Sequence, residues 1–81
     1  MHPKDLAAKY DVKVFDTPDA AQAAGFTLGE RMETRNAWNR DSASSAILFD
    51  LIGKRKRGEV AEVALVLDMY GVTAATKKEE G

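Results

Sequence analysis

The residues best equipped for chemistry are Arg31, Arg35, Asn36, Asn39 and Arg40, followed by the run Lys54-Arg55-Lys56-Arg57. Guanidinium groups pair with guanine edges or phosphate oxygens, and side-chain amides pair with adenine edges. Upstream, Thr17-Pro18-Asp19 opens a helix, and Ala20, Ala21, Ala24, Gly25 and Phe26 suit the first helix and turn of a helix-turn-helix. On that scheme residues 17–40 form a degenerate helix-turn-helix, with Arg31, Arg35, Asn36, Asn39 and Arg40 facing a groove. Lys54, Arg55, Lys56 and Arg57 would then hold phosphates. The second half fits poorly, because positions that should be apolar carry Arg31 and Thr34, with Met32 one place out. A solvated helical hairpin and a solubilising connector account for the same residues. DNA binding is therefore the alternative reading.

Catalysis has less to work with. His2 is the sole histidine and there is no cysteine, so a nucleophile has neither a histidine base in the body of the chain nor a Cys-His pair. Asp11, Asp16 and Asp19 miss the calcium-loop spacing and serve better as caps and solubilising groups. The glycines at 25, 29, 53 and 58 form neither a P-loop nor a dinucleotide fingerprint. The expectation is a protein that is not an enzyme and has no cofactor or metal.

The elements that position these residues must fit into 81 residues, enough for one modest core. Without disulfides, stability must come from packing or from a partner. Residues 31–57 carry seven Lys or Arg against three acids, while both flanks are net acidic, so the net charge of −1 conceals a basic middle. The beginning Met1-His2-Pro3-Lys4-Asp5 has no apolar signal core, and no run approaches the ~18 apolar residues of a membrane span. A cytoplasmic protein with no membrane partner is expected.

Pro3 and the spacing of Leu6 and Tyr10 predict a short helix, and Val12 to Phe15 reads as a short extended segment. A second helix starts at Thr17 and stops near Gly25. A third begins at Thr27, with Glu30 in the capping-box position, and breaks or kinks at Asp41 to Ser45. Ala46 to Ile52 is apolar nearly all round the helical wheel. In residues 60–70, Val60, Val63, Ala64, Leu67 and Tyr70 align on one helical stripe ended by Gly71, although the density of Val and Leu keeps a strand reading open.

The sum is an all-α domain, a small bundle of three to four helices over residues 1–72, followed by a flexible polar tail at 73–81. Two apolar helices in so small a chain exceed what it can hide, leaving Phe49, Leu65 and Met69 to face a partner, with Trp38 as an aromatic anchor. Each such side chain contributes about 1.5–3 kcal/mol when covered. The function expected is that of a small regulatory or adaptor protein. It would act by protein–protein binding through an apolar helical surface, toward a protein partner or as a homodimer.

Overall fold

A computed structural model describes residues 3–78, apart from the side chains of Ala37 and Trp38. The elements in chain order are α1 (Pro3–Lys9), β1 (Lys13–Phe15), α2 (Pro18–Ala23), β2 (Thr27–Glu33), α3 (Ala37–Lys56), β3 (Glu62–Asp68) and β4 (Gly71–Lys77). The fold is mixed α/β and not all-α: four strands form one sheet in the order β1-β3-β4-β2. β1 runs parallel to β3, while β3–β4 and β4–β2 are antiparallel.

The correction begins at residues 62–77. Val63 to Leu67 are all buried, because β3 is an inner strand with α3 against one face and α2 against the other. A strand covered on both faces loses the polar alternation that would mark it, so its apolar run also fits a helical stripe. β4 departs further from expectation. Residues 73–77 lie in the sheet beside β3, where Ala74 and Ala75 are buried. Of the residues expected in the tail, 73–77 belong to β4, only 78 follows it among the described residues, and 79–81 lie outside them.

Residues 27–33 form an edge strand in place of the second helix of a helix-turn-helix, so that motif does not exist here. Gly29 weakens a helix at that point, and seven residues of β2 run alongside β4. Thr17 does cap α2, its hydroxyl accepting from the Ala20 N–H at 3.1 Å, and Pro18 occupies the first turn. Gly25, at φ +93°, then turns the chain toward β2.

α3 starts at Asn36, whose side-chain oxygen accepts from the Asn39 N–H at 2.9 Å. It runs unbroken for 20 residues through Asp41 to Ser45. The expected break is absent because buried Ser44 turns its hydroxyl back to the Arg40 carbonyl, 2.6 Å away, satisfying itself within the helix. Ala43, Ile47, Leu48, Leu51 and Ile52 of α3 pack on Val63, Leu65, Leu67, Val72 and Ala74 of the sheet, with Ala7 and Val12 at the side. On the opposite face Ala21 and Phe26 cover Ala64, Val66 and Ala75. Both faces of the sheet thus carry a core cluster, which a helical bundle does not have.

Candidate binding surface

Most of the basic residues expected to face nucleic acid are committed within the molecule. Arg55 donates to the carbonyls of Tyr10 (2.8 Å) and Asp11 (3.2 Å), holding the end of α1 against α3 where Asp11 adopts φ +57°. Lys54 pairs with Asp50 at 3.5 Å, Arg57 pairs with Glu59, and Lys56 is exposed. Asn36 and Asn39 meet at the helix cap. Arg40 donates to the Asp68 carbonyl at 3.2 Å while its Nε is buried without a partner. Among the residues expected to form a nucleic-acid face, only Arg35 and Lys56 are exposed with no hydrogen bond or ion pair found. They sit at opposite ends of α3, Arg35 just before its cap and Lys56 in its last turn.

Arg31 has a different role. Its Nη1 lies 2.7 Å from Asp68 Oδ2 and 3.1 Å from Thr73 Oγ1, and its Nη2 lies 3.2 Å from Asp68 Oδ1. The paired contact ties edge strand β2 to β3 across the intervening β4. Asp68 Oδ1 also accepts the Tyr70 N–H at 2.9 Å, which closes the two-residue β3–β4 turn. The Arg31 hydrogen bond, helped by the Tyr70 and Gly71 N–H groups, holds the Asp68 carboxyl below the usual range against the opposing effect of partial burial. The Arg31 guanidinium is raised by the same pair.

At the other end of the sheet Glu62 lies 3.4 Å from Lys13 and 3.6 Å from Lys77, and both ammonium groups sit over the Phe26 ring, 5.9 and 5.2 Å from its centroid. The Lys13 hydrogen bond is the main cause of a lowered Glu62 carboxyl. Both carboxylates stabilise the fold in their ionised form. That contribution is complete above about pH 4, the ordinary carboxyl range, and is lost as pH falls toward the lower folded values. Asp68→Asn therefore lowers the melting temperature at pH 7, and its deficit relative to wild type shrinks as acid is added toward pH 2. A deficit of constant size in calorimetric scans across that range would show that the Asp68 charge does not matter.

The proposed interface residues separate. Leu65 is fully buried between sheet and α3, so it faces no partner in the folded chain. The surplus of apolar surface that implicated it is absorbed by the sheet. Phe49 is 54 % exposed on the outer side of α3, where it meets Tyr10 edge-to-face at 5.7 Å and closes the α1–α3 seam. Trp38 lies in the first turn of α3, its side chain outside the described residues, as is His2.

Met69 is 77 % exposed at the β3–β4 turn. Its neighbour Tyr70, absent from the expected set, is 69 % exposed, and Met32 is exposed on nearby β2. The signal for this turn was present in Asp68-Met69-Tyr70-Gly71, because Asp at the first position and Gly at the fourth favour a tight turn.

Arg31, Glu33, Thr34, Arg35 and Tyr70 line an open groove of about 630 Å³ at this end of β2. It has an aromatic wall, two guanidinium groups and one carboxylate, beside an edge strand with no strand paired on its outer side among the described residues. Among the described residues, no group of three or more His, Cys, Asp or Glu could hold a metal, and no helix is long and apolar enough to cross a membrane. No protein-family model, curated protein or solved structure matches this chain.

Proposed function

We propose that this chain is a non-enzymatic, cytoplasmic adaptor or regulatory module that acts by binding protein. Its contact surface is the turn Met69-Tyr70 together with the groove along β2. The observation that carries this reading is the pair of large apolar side chains held in the open at a tight turn, each more than two-thirds exposed, next to an unpaired strand edge. A solvent-exposed Tyr at a held turn offers contact area at small entropic cost, Met beside it adds an adaptable apolar contact, and guanidinium groups at the rim suit the polar border of an interface. Asp68 holds the turn from both its carboxylate and its carbonyl, so the surface is set before a partner arrives.

The test compares the intact chain with the double variant Met69→Ser, Tyr70→Ser. Partners captured from the native host are identified, purified and titrated against both by calorimetry. Loss of at least tenfold in affinity, with the melting temperature within a few degrees of wild type, supports the reading, since a central aromatic contact is worth about 2 kcal/mol or more. Undiminished affinity for every partner removes this surface from the account.

A further inference from the structure

The outer side of β2 identifies its own occupant. In an antiparallel ladder, successive residues direct their N–H and C=O groups alternately to the neighbouring strand and away from it. The Thr34 N–H donates to the Tyr70 carbonyl at 2.8 Å, so Thr34 and, two residues earlier, Met32 face β4. Arg31 and Glu33 therefore direct their backbone groups outward. N-terminal to them the strand bulges, with Gly29 and Glu30 both set against Ala74, and C-terminal to them the strand ends at Glu33. Residues 31–33 are the regular part of the open edge.

We propose that residues 31–33 of β2 pair antiparallel with the same residues of a second copy, Met32 against Met32, joining two four-stranded sheets into one. This deepens the reading of the chain as a binding module by naming the occupant of the groove beside β2. The choice of register follows from charge. Centring the two-fold on Arg31 opposes Arg31 to itself, and centring it on Glu33 opposes Glu33 to itself; like charges directly across a ladder are destabilising. Centring it on Met32 sets each Glu33 opposite the other copy's Arg31, whose guanidinium stays on its own Asp68, so that no like charges face each other across the ladder. It also makes those two residues the hydrogen-bonded pair, as their outward backbone groups require, and lays the two exposed Met32 side chains together on the α3 face of the sheet. Shifts by a single residue would join opposite faces of the two sheets. Charges on an edge strand ordinarily deter pairing. Here Arg31-Met32-Glu33 deters the two adjacent in-phase registers, and the contact is isologous, so it closes as a dimer and does not propagate.

Sedimentation equilibrium over a wide concentration range tests this with the intact chain. Wild type approaches twice its 8.8 kDa mass as concentration rises. Glu33→Pro removes only an outward N–H on an edge strand, and Glu33→Lys opposes Lys to Arg across the two-fold; each shifts the dimerisation constant at least tenfold toward monomer while the circular dichroism spectrum is kept. A wild-type mass of 8.8 kDa at every concentration overturns the proposal, even where the Met69, Tyr70 surface still binds another protein. A dimer unaffected by Glu33→Pro and Glu33→Lys overturns it equally, by placing the contact elsewhere.

Discussion

Leu65→Glu abolishes the cooperative fold. Leu65 has no exposure; it lies on an inner strand, under α3, among Leu48, Leu51, Val63 and Val72. Glutamate there loses the burial of a leucine, about 1.5–3 kcal/mol, and leaves a carboxylate with no partner, which costs several kcal/mol more or is relieved only by protonation. The sum is comparable with the whole stability of a small domain, at the low end of about 5–15 kcal/mol. Circular dichroism and a one-dimensional proton spectrum will show loss of the thermal transition and of methyl dispersion at 25 °C. The matched substitution Met69→Glu, at a 77 % exposed turn position, changes stability by about 0.5 kcal/mol or less. If Leu65→Glu instead gave a folded protein that had only lost a partner, β3 would have to be a surface element and the sheet order would be wrong.

Gly71→Val is the second large effect, and its cause is spatial. Gly71 does not adopt positive φ, yet a Cβ there would lie 2.6 Å from the Met32 carbonyl oxygen and 3.1 Å from Arg31 Nη2. The carbonyl belongs to the β2–β4 ladder and can retreat only by opening it. The guanidinium lies over Gly71 because it is bonded to Asp68, so any side chain lifts it away. Overpacking costs about 1–3 kcal/mol and a lost charge-assisted contact about 1.5–3 kcal/mol, giving an expected loss of about 3–5 kcal/mol in urea unfolding. Gly29→Ala on the same strand is the control, since its Cβ would meet Ala74 only at 3.7 Å and beyond. Equal stabilities for the two variants would mean that the tie from β2 to β3 does not exist.

Local signals in the sequence were reliable where they are short-range. The Pro3 and Thr17-Pro18 starts lie at α1 and α2, Val12 to Phe15 contains β1, and the apolar run Ala46 to Ile52 lies within α3. Legibility failed where the neighbours of a segment decide its structure. β3 has a continuous apolar run because two layers cover it, and a run of that length fits a strand or one stripe of a helix. β4 owes its burial to its position between β3 and β2; in Val-Thr-Ala-Ala-Thr-Lys the strand preference of Val72, Thr73 and Thr76 is diluted by two alanines and a lysine. Thr27 to Glu30 has a capping-box pattern, but pairing with β4 outweighs a local cap.

The basic residues illustrate the same limit. Lys54, Arg55 and Arg57 look like free charge until the fold brings Asp50, Tyr10, Asp11 and Glu59 to them, and Arg31 until it meets Asp68. Met69 was identifiable as exposed, whereas Leu65 was not identifiable as buried, because its burial depends on strands that the helical reading omits.

Amide hydrogen exchange, followed residue by residue, reads the pairing of β2 with a second copy along its open edge at residues 31–33. In dilute protein the amides of Met32 and Thr34, bonded to β4, exchange slowly, and those of Arg31 and Glu33 exchange near the unprotected rate. As concentration is raised, Arg31 and Glu33 become protected together, in step with the rise in mass. Exchange of Arg31 and Glu33 that stays fast at every concentration would contradict the account, as would protection of both in the monomer.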